Sequence, residues 1–206
     1  MASRIKKHYQ RSSTIIYPGI NIDKFTPSSN PAQPYFLIVS RLVPHKKIDL
    51  VISAFNNSDY QLKIVGGGRE EAYLKCLASD NKNIEFLKPV DESQLITLYQ
   101  NCTALIYPQE EDFGLSALEV QACGRGVIAY NRGGAKETVI NHKTGIFFNL
   151  QNKESLQIAI QNFLKSPPLS SNCRQQASRF NRQNFMLNFK KQVDTLWSKR
   201  QIVTIS

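Results

Sequence analysis

From Tyr35 onward, short apolar runs alternate with longer amphipathic ones. The runs Tyr35–Ser40, Gln61–Val65, Asn83–Leu87, Thr103–Tyr107, Gly126–Tyr130 and Thr144–Phe148 are mostly apolar, the pattern of strands buried on both faces. Helical periodicity fills the intervals. Lys47 to about Asn57 sets Ile48, Val51, Ala54 and Phe55 on one side. Glu92 to Asn101 follows Asp91, a good N-cap, with Gln94 completing a capping-box pair. A helix opens after Gly114 and stops near Cys123-Gly124. Lys153–Lys165 places Leu156, Ala159, Ile160, Phe163 and Leu164 on one stripe. Pro167-Pro168 ends it, a Ser/Asn turn follows, and helical segments run to near Trp197 before a frayed tail. The first thirty residues break the rhythm. Met1–Gln10 is compatible with a helix, Ser13–Tyr17 with a short strand before the turn Pro18-Gly19, and Pro27–Pro34 reads as a loop. Such βα alternation predicts an α/β fold: a Rossmann-like parallel sheet of about six strands with helices on both faces.

Composition narrows the class. The 206 residues suit one domain with appendages, long enough for a core without staples. No apolar run reaches the roughly 18 residues that a membrane span requires, and Met1–Arg11 lacks the apolar centre of a signal peptide. Cys76, Cys102, Cys123 and Cys173 lie in separate segments without metal-ligand spacing, so they read as small buried or incidental thiols and a cytoplasmic setting is expected. The net charge of +10 raises the question of nucleic acid. The basic residues cluster only at the ends, as Arg4, Lys6, Lys7 and Arg11, and as Lys190, Lys191, Lys199 and Arg200. No aromatic-basic platform accompanies them, so a basic Rossmann-like protein binding nucleic acid is a remote alternative. A solvated basic face comes first, then attraction to an anionic membrane surface or an anionic substrate.

The residues that follow each strand carry the chemistry. They are Arg41 and Lys46, Gly66-Gly67-Gly68, Lys88-Pro89, the segment from Glu111 to Glu119, and Asn131-Arg132-Gly133-Gly134. A parallel sheet puts all five groups along the edge where open α/β folds bind ligands. Glycine turns let backbone N–H groups approach a phosphate, and helix N-termini near Gly114 and Gly134 would add positive potential. Arg41 and Lys46 suit a diphosphate. Glu119 suits two vicinal hydroxyls, as on a ribose. Together they point to a nucleoside diphosphate.

With those residues assembled, the chain resembles the C-terminal, donor-binding domain of a retaining family 4 glycosyltransferase, one half of a GT-B fold. The resemblance rests on Glu111, Phe113, Gly114 and Glu119, on Ser40-Arg41-Leu42 with Lys46, on Lys63–Gly68, on Gly133–Val139 with Thr144-Gly145, and on Ile16–Phe25. It spans Arg4 to Trp197. The wording around Glu110–Gly114 and Ala129-Tyr130 is closest to mannosyltransferases of polysaccharide and O-antigen assembly. Asp112, Gly126 and Lys88 depart from commoner glycine, proline and glycine.

The resemblance implies roles. Glu111 would be the catalytic residue, against the donor sugar near the reacting carbon. Arg41 and Lys46 would hold the pyrophosphate, and Glu119 the ribose. Phe113, Gly114 and Leu115 would present backbone N–H groups, with Gly66 also at the donor, and Lys88 and Val90 would lie near the base. No metal and no cofactor is implied. The donor would be a nucleotide-sugar, GDP-mannose in the closest branch, and the acceptor a glycan or lipid-linked glycan. Residues 1–34 would be a linker remnant, 35–180 the nucleotide-sugar domain, and 181–206 a helix that packs toward an N-terminal acceptor domain, leaving Phe185, Leu187 and Phe189 partly exposed. Met1 falls where that domain would end, so the expectation is a part that needs the domain from another polypeptide, or a truncated, catalytically incomplete fragment.

Overall fold

The structure, a computed structural model, describes residues 2–56 and 58–204, without the side chains of residues 3 and 199–204. Met1 and Asn57, the outer ends of two expected helices, lie outside the described residues, as do the side chains of Lys199 and Arg200. Six strands pair in parallel: β1 (Tyr35–Val39), β2 (Gln61–Val65), β3 (Ile84–Leu87), β4 (Ala104–Tyr107), β5 (Gly126–Tyr130) and β6 (Gly145–Phe148). Each was expected; only the terminal Ser40, Asn83, Thr103 and Thr144 fall outside. The strand order is β3-β2-β1-β4-β5-β6. The chain therefore winds outward from β1 to one edge, then returns beside β1 to wind outward again. The β1/β4 boundary is the switch point where doubly wound sheets open a crevice.

The helices are α1 (Ala2–Tyr9), α2 (Ile48–Phe55), α3 (Glu71–Leu77), α4 (Glu92–Asn101), α5 (Leu115–Ala122), α6 (Ala135–Thr138), α7 (Lys153–Lys165), α8 (Ser170–Ser178) and α9 (Arg182–Thr204). Strand side chains alternate between two cores. Phe36, Ile38, Ile64 and Ile106 pack with α2, α3 and α7 on one face. Leu37, Val65, Leu105 and Val127 pack with α4, α5 and α8 on the other. Leu37, Leu62 and Ile64 are fully buried, and each such side chain contributes roughly 1.5–3 kcal/mol of transfer free energy.

Local signals hold where chemistry is specific. Asp91 Oδ1 accepts from the Gln94 N–H at 2.8 Å, and Gln94 Oε1 accepts from the Asp91 N–H at 3.3 Å. The capping box of α4 is complete.

Four expectations are corrected. Ser13–Tyr17 forms no strand; the segment is irregular, and Ile20 makes a single bridge to Asn181. The sheet ends at β3 and β6, and the segment lies along neither of these edges as a paired strand. The Ser/Asn turn after Pro168 is instead the start of α8, whose Cys173, Gln176 and Ala177 are buried. Helix α9 continues past Trp197 to Thr204. No Gly or Pro interrupts it, and the exposed Lys190–Asp194 pair at 2.8 Å supports it at i,i+4. Leu164 lies off the buried stripe of α7 at 39% exposure.

Candidate functional site

Parallel pairing brings the five strand-end groups to one edge of the sheet. Two clefts open there. The first, of about 710 Å³, lies at the switch point, lined by His45 and Lys46 after β1, Glu110, Glu111 and Asp112 after β4, and the Gly133-Gly134 turn after β5. The second, of about 560 Å³, is lined by Ser40 and Arg41, Gly66 and Gly67, and Pro89 and Val90, after β1, β2 and β3. Arg41 and Lys46 therefore serve adjacent clefts. A 3-10 turn at Pro44–Lys46 and a left-handed Lys47 (φ 56°) redirect the chain between them.

Lys46 and Glu111 form an ion pair across the switch point. Gln109, almost fully buried, points Nε2 at Glu111 Oε1 across 3.4 Å. Burial lowers the Lys46 pKa, and the charge of Arg41 lowers it further. An anion entering between the two cations relieves that repulsion. Arg4 of α1 reaches the rim of the first cleft, 3.7 Å from Asp112. Both partners are exposed, so this contact adds little stability.

Glu119 stands one turn further into α5, half-buried and outside the lining of both clefts. Its Oε2 accepts a hydrogen bond from the Tyr99 hydroxyl at 2.9 Å. Burial pushes its pKa up, the Tyr99 bond opposes that, and Glu92 adds to the rise. Gly114 caps α5 with φ 92° and no side-chain cap bond, so among the described residues the first-turn N–H groups of α5 lack the usual side-chain cap. Leu115 begins α5 and is 45% exposed. The Phe113 ring stacks on Tyr17 at 5.6 Å and meets Phe180 edge-on at 5.6 Å, tying this loop to the entry segment and to the turn between α8 and α9. Lys88 is exposed beyond the second cleft, whereas Val90 lines it.

The glycines report close approach of backbone. Gly134 N–H donates to the Glu111 carbonyl at 2.6 Å, and a Cβ on Gly133 or Gly134 would strike Glu111 or Phe113 backbone. This pair presses the β5 turn against the glutamate loop. Gly66, at φ 137°, is held under the Ser40 carbonyl in the same way. The expected helix potential near Gly134 is reduced: α6 is a single turn, too short for an extended dipole. Arg4, His45, Glu110 and Glu137, which line the first cleft, and Tyr99 are not among the site residues expected from sequence, although Arg4 belongs to the N-terminal basic cluster. Glu110 neighbours the glutamate motif and was within reach of it; Tyr99 reaches Glu119 only through the packing of α4 on α5.

Residues 19–180 match the family described as Glycosyl transferases group 1. D-inositol 3-phosphate glycosyltransferase of Mycobacteroides abscessus is 30% identical over 170 residues, covering 73% of this chain and 38% of that protein. The GDP-mannose-dependent alpha-(1-6)-phosphatidylinositol monomannoside mannosyltransferase of Mycolicibacterium smegmatis is 28% identical over 177 residues, covering 73% and 46%. Sucrose-phosphate synthase from Thermosynechococcus elongatus superposes with a TM-score of 0.83 over 96% of this chain and 56% of that one, at 24% identity. The chain spans about half the length of the curated relatives it matches. The family match covers every strand of the sheet and both clefts apart from Arg4 at the rim of the first, and the chain belongs to the group 1 glycosyl transferases, forming the Rossmann-like half of a GT-B fold.

Proposed function

We propose that this chain is the donor-binding half of a retaining hexosyltransferase that takes mannose from GDP-mannose and passes it to a glycan or lipid-linked acceptor. The observation that carries the reading is the Lys46–Glu111 pair at the switch point, with Arg41 beside Lys46. Lys46 and Arg41 bind the diphosphate and stabilise the charge that develops on it as the sugar bond breaks. Glu111 then faces the sugar. Glu119 accepts from the ribose hydroxyls, the N–H groups around Phe113, Gly114 and Leu115 meet the sugar or phosphates, and Gly66, Lys88 and Val90 flank the base. Two curated relatives are named as GDP-mannose-dependent mannosyltransferases, which supports that donor.

In this reading residues 35–180 are the donor domain, residues 1–34 link it to an acceptor-binding domain, and α9, within residues 181–206, is directed toward that domain. Proximity and water exclusion need both walls of the cleft, so the chain by itself binds donor and transfers sugar slowly or not at all. The basic surface supports a peripheral approach to an anionic membrane.

Calorimetric titration with GDP, UDP and GDP-mannose tests the reading. GDP-mannose and GDP are expected to bind, GDP more tightly than UDP. Failure of all three to bind would remove the proposal. One feature favours UDP as a second reading: among the described residues, no carboxylate lines the second cleft to accept from the guanine N–H groups. Tighter binding of UDP than GDP would select it.

A further inference from the structure

We infer that Tyr99 is a positioning residue: its buried hydroxyl holds Glu119 Oε2 so that the carboxylate meets the ribose of a nucleoside diphosphate in one orientation. The inference rests on the proposed role of Glu119.

Tyr99 is fully buried on α4, and its hydroxyl reaches across to α5 with a 2.9 Å bond to Oε2. The donor is itself immobilised. Its ring packs edge-on against Phe25, with centroids 6.1 Å apart. Helix α4 is held at one end by the capping box. Near the other, the Leu98 carbonyl accepts from the Tyr35 hydroxyl at 2.9 Å, and the Gln100 carbonyl from Arg125 Nε at 2.7 Å. Glu119 has no comparable restraint of its own. Among the described residues, its Oε1 accepts no hydrogen bond. A glutamate side chain on its own loses appreciable rotamer entropy when a ligand fixes it. Tyr99 removes part of that cost in advance, which raises affinity through preorganisation. The bond occupies one lone pair of Oε2 and leaves both oxygens able to accept, as vicinal hydroxyls require.

The titratable groups that face Glu119 are few. Tyr99 and Glu92 lie on α4, and Cys123 lies just past the end of α5. Burial keeps Tyr99 protonated and pushes the Cys123 thiol up to about 12. Glu92 is exposed and paired with Lys24 at 2.6 Å. Removing the Tyr99 donor withdraws the contact that opposes the upward shift of the Glu119 pKa.

The test uses the full chain and its Tyr99→Phe, Glu119→Ala and doubly substituted variants. GDP and 2′-deoxy-GDP binding is measured by calorimetry as a function of pH, with melting curves alongside. Tyr99→Phe is expected to weaken GDP about tenfold, the scale of one hydrogen bond to a charged group. It should also shrink the preference for GDP over 2′-deoxy-GDP and move the acid limb of binding to higher pH. In the Glu119→Ala background the same substitution should have no further effect on GDP. Wild-type affinity and ribose preference in Tyr99→Phe, with Glu119→Ala weakened, would overturn the inference and leave the role of Glu119 standing. Unchanged affinity in Glu119→Ala would remove that role and the inference with it. Should Tyr99→Phe not fold, carbon NMR of the wild type decides. GDP should shift the Glu119 carboxyl and Tyr99 ζ-carbon signals together, and a shift at Glu119 alone overturns the inference.

Discussion

At the scale of single residues, the candidate site joins charge to partial burial. Lys46 sits beside Arg41 and against Glu111, and desolvation lowers its pKa. Lys46→Met removes the cation nearest the switch point. Nucleotide affinity by calorimetry should fall about tenfold or more, the scale of one charge-assisted contact, while the melting temperature changes little. Glu119 has the opposite character. Its folded pKa is raised by burial, so it binds its proton more tightly folded than unfolded. That contribution to stability is present below the ordinary carboxylate pKa and is lost as pH rises through the raised value. Glu119→Gln cannot ionise. Its melting temperature, relative to wild type, should therefore rise from acid to neutral pH. A flat difference across that range would contradict the burial argument. The strand-end cations, the two glutamates and the glycines were legible in the chain because they follow apolar runs. Tyr99 and Gln109 were not: a buried tyrosine looks like any other until α4 packs on α5, and a glutamine after a strand looks like any other until the β4 loop folds it against Glu111.

Elements were legible in proportion to the specificity of their local chemistry. The capping box at Asp91 and Gln94 marked the start of α4. Asp91→Ala should lower stability measurably in chemical denaturation, as loss of an N-cap does. The glycine turns depend on approach of other backbone, which no local pattern states. Gly66→Ala should destabilise more than the cap substitution, because it adds a Cβ at φ 137° under the Ser40 carbonyl; a loss no larger than that of Asp91→Ala would count against this packing. Segments whose conformation depends on distant partners were misread. Ser13–Tyr17 has β-branched residues but pairs with no strand, and Ser170–Asn172 has turn residues but is helical. Propensity is a weak prior that tertiary contact overrides.

For the molecule as a whole, α9 carries a row of uncovered apolar side chains. Met186, Leu187, Phe189, Val193, Leu196 and Trp197 are each at least 47% exposed. A row of this kind on one helix marks a surface that another element covers. Trp197 is the sole tryptophan, so its fluorescence reports the state of that surface. The chain alone should show the red-shifted emission of a water-exposed indole, and emission should shift to the blue when a covering domain is added. Blue-shifted emission from the chain by itself would mean that the row is already covered. Among the described residues, no helix is long and apolar enough to cross a membrane.

The sequence by itself determined the α/β class, the six strands and the residues at their carboxyl ends. Alternation of apolar and amphipathic segments is a local property that parallel sheets impose along the whole chain. Only the tertiary structure decided the strand order, and with it the switch point that pairs Lys46 with Glu111. It alone divided the edge into two clefts, with Arg41 in one and Lys46 in the other. It alone set Tyr99 against Glu119. These are contacts between residues far apart in the chain. They depend on which strands lie adjacent and which helices share a layer, and no window of sequence carries that information.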